Sequence, residues 1–212
     1  MERFELSPFV HRPQQKRSRI ALARIIAGAS EVLIRENFDS VSMADIAQAA
    51  GVPLSSIYRR FKGKDSIIQA ISADTFTRLE DIVRDRMQGH DFASASEVVA
   101  ELARGIAEMC EQNEALVRLM IVQSSVTDAT HRNNVIAARR RLVGYYGKAI
   151  SGFLQHLSEQ RRDILVGFSY HIVASAFIDK ARGDFPLLID LSWSDLTQEV
   201  IKAAIGHLSE EI

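Results

Sequence analysis

A chain whose one cysteine is Cys110 can form no disulfide within itself, which fits a reducing compartment. Proline is nearly as scarce, with four in 212 residues. Two of those, Pro8 and Pro13, fall in the first thirteen residues, which lack a helical period and read as a mobile arm. Apolar–polar alternation of the strand kind is not evident anywhere, so the expected class is all-α. Long apolar runs are missing too. The N-terminal "MERFELSPFVHRPQQKRSR" holds no apolar stretch of the signal-peptide kind, and no segment approaches the roughly 18 apolar residues of a membrane span. A cytoplasmic protein without a membrane partner is expected. HExxH, GxSxG, EF-hand and P-loop patterns are absent, and His11, His90, His131, His156, His171 and His207 show no zinc spacing. No enzyme activity, metal or cofactor is expected.

What is present begins with charge. The net charge of −1 conceals an asymmetry: residues 12–64 hold ten Lys/Arg against four Asp/Glu, so the remainder is acidic. A basic head on an acidic body suggests two units with different partners. At 47% hydrophobic residues the chain can bury a substantial core, as one large domain or two smaller ones.

Helical periodicity organises the rest into about nine helices. Leu22, Ile25, Ile26, Ala29 and Leu33 share one face of a helix over about 14–36, and Asn37 and Phe38 read as its left-handed end and fold-back. In "SVSMADIAQAAGV", Ser42 precedes Asp45 by three, a capping-box variant, and Met43, Ile46, Ala47 and Ala50 form a stripe that ends at Gly51. Leu54, Ile57, Tyr58 and Phe61 repeat the stripe. A longer helix covers about 64–88. Further helices follow over about 94–112, 114–129, 132–160, 162–183 and 194–210, with breaks near "GHDF", "QNE", "DATHR", "EQRRD" and "GDFP".

Two short helices joined at Gly51 make a helix-turn-helix outline. At 100° per residue, Leu54, Ile57, Tyr58 and Phe61 fall on one side of the second helix and Ser55, Ser56, Arg59 and Arg60 on the other. The outward side thus offers hydroxyls and guanidinium groups, which suit base edges or phosphates in a major groove. Arg12, Lys16, Arg17, Arg19 and Arg24 precede or lie on the first helix, Lys62 follows the third, and Lys64 starts the fourth, where free N–H groups favour an anion. Competing readings are a packing role for Tyr58, plain solvation for Lys62 and a surface hydroxyl for Ser56.

The run "FDSVSMADIAQAAGVPLSSIYRRFKGKDSII" resembles the DNA-binding domain of the tetracycline-repressor (TetR) family of transcription regulators, through the Ser42 entry, "DIAQAAGV", "IYRRF" and "KGKDSI". The resemblance spans about residues 14–68 and is only architectural beyond them. It implies phosphate contacts from Ser42, Tyr58, Arg60 and Lys64; base or groove-wall contacts from Leu54, Ser55, Ser56 and Arg59; and Lys16 and Arg17 near the backbone or a minor groove. Two departures stand out. Pro53 replaces a capping serine common in the family and reads as lying in the first helical turn. Leu54 replaces a polar reader and could touch a thymine methyl.

The implied organisation is an arm (1–13), a helix-turn-helix domain (14–63) and a regulatory, dimerising body (64–212). "DILVGFSYHIVASAFID" is apolar nearly all round, and the last helix carries a stripe, so the two are expected to form a homodimer face from Phe168, His171, Ile172, Ser175, Ala176 and Asp179 with Leu196, Val200, Ala203, Ala204 and Leu208. Such a dimer suits a palindromic operator in double-stranded DNA. The family resemblance also implies a small-molecule effector. Its pocket is nominated at Met109, Cys110, Leu116, Met120, Gln123, Tyr145, Tyr146, Phe153 and Phe168, with an ordinary adaptable core as the competing reading. "RRR" at 139–141 reads as a solvated face with an acidic neighbour. The expectation is a dimeric repressor released by a ligand. Alternatives are a ligand-independent member answering to a protein partner, and an all-α binding protein whose helix-turn-helix is merely structural.

Overall fold

The computed structural model describes residues 16–36, 40–123, 129–183 and 185–209. The arm, Asn37 and Phe38 lie outside these. The described residues contain ten α-helices and no strand: α1 (Lys16–Arg35), α2 (Met43–Ala50), α3 (Leu54–Tyr58), α4 (Lys64–Met87), α5 (Ala95–Gln112), α6 (Glu114–Gln123), α7 (Ala129–Ile150), α8 (Glu159–Arg182), α9 (Pro186–Ile189) and α10 (Trp193–Ser209). They form two compact units. The first comprises residues up to Thr77 with Leu119–Val135, the second Arg78–Arg118 with Ile136–Ile212. The division therefore falls inside α4, after Thr77, instead of at Lys64.

In the first unit α1 buries Leu22, Ile25, Ile26, Ala29 and Leu33, the face its period specifies, and packs on α2. The approach is very close: a Cβ on Gly28 would lie 2.6 Å from the Ala50 backbone nitrogen and 2.8 Å from its Cα. Only glycine lets the two backbones meet this way.

In the second unit α8 packs on α5 and α10, and α10 on α5. Tyr146 is fully buried, its hydroxyl paired with Ser169 Oγ at 3.0 Å. Ser169 Oγ in turn donates to the Val166 carbonyl at 3.2 Å. The C-terminal part of α4 is held by two ionic clamps. Arg86 lies across Gly105 and reaches Glu101 at 2.8 Å and Glu108 at 2.7 Å on α5. Arg141 of α7 grips Glu80 with two hydrogen bonds, at 2.6 and 3.0 Å, so "RRR" does have its acidic neighbour.

Two expectations need correction. The helix over 132–160 ends at Ile150 and passes through a 3-10 turn, Ser151–Leu154, where serine and glycine break the regular period. Where "GDFP" reads as a simple break, the short helix α9 forms. Pro186 sits in its first turn, and the buried Lys180 ammonium caps its end by donating to the carbonyls of Leu188, Ile189 and Leu191 while lying 5.3 Å from the Trp193 ring centroid. By length and composition α8 is also the one described helix able to cross a membrane, which the sequence reading excluded. Its Leu165, Val166, Ser169, Tyr170, Val173 and Phe177 are instead buried within the second unit.

Candidate nucleic-acid interface

The candidate interface is built by three local devices. The first is the entry to α2: Ser42 Oγ accepts the Asp45 N–H at 3.2 Å, and Asp45 Oδ2 accepts the Ser42 N–H at 2.8 Å, closing the reciprocal cap. The Ser42 hydroxyl also donates to Asp45 Oδ2 at 2.6 Å. These hydrogen bonds from Ser42, side chain first and backbone second, hold the Asp45 carboxyl below its ordinary range. The second device is the exit. Gly51 is left-handed (φ 61°, ψ 38°), and the Gly51 and Val52 N–H groups close on the Gln48 and Ala47 carbonyls, both at 3.1 Å. This is a Schellman turn, and glycine enters it without a Cβ penalty.

The third device is Pro53. It is not in the first helical turn but is the N-cap residue of α3 (φ −60°, ψ 141°), with no side-chain cap. Its carbonyl accepts the Ser56 N–H at 2.8 Å. The missing N–H costs nothing there, and proline biases Val52 toward extended backbone, so α3 cannot run back into the turn.

On α3 the apolar stripe is narrower than the spacing predicts. Ile57 and Phe61 are buried, but Leu54 is 39% and Tyr58 58% exposed. Ser55 and Arg59 are exposed and Ser56 is half-buried. Arg60 departs from the predicted outward face: it is only 9% exposed. The regular helix ends at Tyr58, and Arg60 N–H bonds the Ile57 carbonyl at 2.8 Å, an i→i+3 closure. Such a turn eclipses residues three apart, which sets Arg60 on the same side as the buried Ile57. Beyond it Lys62 is exposed and Lys64 half-buried at the start of α4. Ser66 secures that start, its hydroxyl donating to the Gly63 carbonyl at 2.7 Å. Lys16 and Arg17 open α1, but their side chains lie outside the described ones.

The structure thus brings Ser42, Leu54, Ser55, Ser56, Tyr58, Arg59 and Lys64 into one unit around α3 and turns Arg60 inward. Sequence reasoning missed Gly28. The available signal was a glycine inside an otherwise regular helical period.

The pocket nominees do not converge on one described cavity, and they divide between the units: Met120 and Gln123 belong to the first, the others to the second. Met109, Cys110, Leu116 and Tyr146 are buried. Burial pushes the Cys110 thiol up to about 12, and pushes Tyr146 up to about 12 despite its Ser169 hydrogen bond. Tyr145 and Met120 are half-buried, and the Gln123 side chain lies outside the described ones. Phe153 lines a cleft of about 380 Å³ with Met87, His90, Asp91, Phe92 and Lys148. Phe168 points outward at 54% exposure.

The dimer-face nominees divide. Phe168 and His171 are exposed on α8, with Ile172, Ser175, Ala176 and Asp179 half-buried, and Ala203 is exposed on α10. Leu196, Val200, Ala204 and Leu208 are a correction: all four are buried within the single chain, because this stripe is the side α10 turns to α5 and α8.

Residues 25–71 match the family model described as bacterial regulatory proteins, tetR family. The HTH-type transcriptional regulator YvdT of Bacillus subtilis is 28% identical over 79 residues, a match covering 37% of this chain and 41% of that one; the chain thus spans about two fifths of this relative's length. Among solved structures, a TetR-family transcriptional regulator of Streptomyces coelicolor superposes with a TM-score of 0.69 at 16% identity, over 91% of this chain and 82% of that one. A protein of Mesorhizobium loti described as a TetR-family regulator gives 0.75 at 17%, over 92% and 98%. The regulator FadR of Bacillus subtilis, solved in complex with stearoyl-CoA, gives 0.68 at 14%, over 87% and 98%. At these identities the structural likeness shows the fold.

Proposed function

Since the chain belongs to the TetR family of bacterial regulatory proteins, we infer that it is a DNA-binding transcription regulator, a homodimeric repressor that binds a palindromic operator and leaves it when a small molecule occupies the body. The observation that carries the DNA reading is the exposed side of α3, where Leu54, Ser55, Tyr58 and Arg59 stand clear of the chain beyond the Schellman turn. Ser55, Ser56 and Arg59 are the base readers, Leu54 the groove-wall or thymine-methyl contact, and Tyr58 and Lys64 phosphate contacts. Ser42 reaches a phosphate only by sharing its hydroxyl with Asp45. Lys16 and Arg17 complete the backbone contacts. Arg60, buried, is left out.

Selection of bound fragments from a random DNA pool, followed by gel-shift titration, tests the assignment. Replacing Arg59 by Ala should cost about 1–3 kcal/mol on the selected site and relax its preference. Replacing Lys64 by Gln should weaken selected and random DNA alike. Equal effects of both changes on both DNAs would overturn the division of roles.

Effector release would run through α4, which starts in the first unit and ends in the second. A ligand shifts the balance only by preferring one arrangement of the reading helices. The stearoyl-CoA complex of FadR supports a ligand-responsive body. The filled core at Met109, Cys110, Leu116 and Tyr146 favours a second reading, control by a protein partner. Release of operator by purified small molecules alone, with no added protein, separates the two.

A further inference from the structure

Helix α7 presents Gly144 and Gly147 three residues apart, toward the start of α8. A Cβ on Gly147 would meet Val166 Cγ1 at 3.2 Å, whereas a Cβ on Gly144 would meet nothing within 4 Å. Gly147 thus lets Val166 approach α7, and the missing side chain at Gly144 leaves room in a groove of about 410 Å³ between α7 and α8, within the size range of small-molecule sites. Val143, Leu154 and Val166 give it apolar walls.

The cations that line this groove are disposed unlike five arginines elsewhere on the second unit. Arg84, Arg86, Arg104, Arg118 and Arg141 each hold a carboxylate at 2.5–2.9 Å. In the run 139–141, Arg141 takes Glu80 and Arg139 lies near Tyr170, while Arg140 lines the groove. Of Arg161 and Arg162, the former is engaged within the chain, and the latter lines the groove. Lys148 lines it as well. None of Arg140, Lys148 and Arg162 forms an ion pair among the described residues, and they outnumber the two carboxylates there, Glu159 and Asp163. Guanidinium groups bind carboxylates through paired, charge-assisted hydrogen bonds.

We propose that this groove binds a small organic carboxylate with an apolar body. The body lies over Gly144 against Val143 and Val166, and the carboxylate meets the cations. Binding itself is independent of the DNA reading; that the ligand acts as an effector rests on it.

The probe is 4-phenylbutyrate, titrated calorimetrically into the full chain, with 4-phenylbutanol as the uncharged control. Saturable binding of one molecule per chain is expected, at least tenfold tighter than the alcohol. Gly144→Leu fills the groove without a backbone clash and should abolish binding while the protein stays folded by circular dichroism. Arg140→Gln and Arg162→Gln should each weaken it at least fivefold, and Lys202→Gln on α10 should leave it unchanged. Undiminished binding by Gly144→Leu, or equal affinity for acid and alcohol, overturns the site. Should the leucine variant not fold, undiminished binding by both arginine variants overturns it equally. A gel shift with and without the probe then tests regulation. A wild-type protein that binds the acid but no DNA overturns the regulator reading and leaves the site standing.

Discussion

At Gly28 the space for a side chain is already occupied by the backbone of Ala49 and Ala50. Ala49 and Ala50 cannot move without dragging the Gly51 turn and α3 with them. Gly28→Ala should therefore destabilise the first unit by about 1–3 kcal/mol, the cost of overpacking against a neighbour that cannot yield. Urea unfolding measures this, and operator affinity at low temperature should recover if the defect is one of stability alone. A milder residue effect is expected at the α2 cap. Asp45 has its folded-state pKa lowered by Ser42, so its contribution is present above the ordinary value of 3.8 and is lost as the pH falls through the lowered one. Asp45→Asn should remove this part of the acid dependence. Comparing acid unfolding of the two proteins between about pH 5 and about pH 2 checks it.

At the scale of elements, periodicity located the long helices well, because a face that must be buried repeats every three or four residues over many turns. It served α1 and α5 far better than α3. With five residues, α3 has too few turns for a stripe to settle, and the i→i+3 closure at its end rotated Arg60 inward while Tyr58 stayed out. The cap at Ser42 and the turn at Gly51 were legible because their chemistry is local. Gly28 and Lys180 were not, since the partner of each lies elsewhere along the chain. The same holds for the clamp on α4. Gly105 carries no side chain, and Arg86 crosses that space to reach two carboxylates of α5. Gly105→Ala would place a Cβ 2.9 Å from Arg86 Cδ, so the guanidinium must abandon at least one partner. The expected loss is about 1–2 kcal/mol, combining crowding with partly exposed ion pairs. Its sign should reverse in an Arg86→Ala background, where alanine's higher helix propensity, worth up to about 1 kcal/mol, is no longer offset. A double-mutant cycle by urea unfolding decides between this clamp and a passive surface pair.

For the whole molecule, α10 carries an apolar stripe that the single chain satisfies, and α8 carries apolar side chains that it does not. Leu196, Val200, Ala204 and Leu208 are satisfied within the chain, whereas Ile164 and Phe168 are half exposed, with the Phe168 ring centroid 5.0 Å from that of His207 and 6.2 Å from that of His171. A twofold partner placed on this second side would bury the same residues from both copies. The two sides therefore fail differently when charged. Val200→Glu puts a carboxylate into the chain's own core and should unfold the second unit. Phe168→Glu puts one where only a partner could cover it, so the chain should stay folded and become monomeric. Sedimentation reads the mass, and circular dichroism the fold. Operator affinity should then fall at least a hundredfold for the full palindrome, since each chain must find its half-site alone. Binding to an isolated half-site should be unchanged and as sensitive to salt as before, because the phosphate contacts proposed for each head are untouched. A Phe168→Glu protein that remains dimeric and binds the palindrome at full strength would place the interface elsewhere on the body.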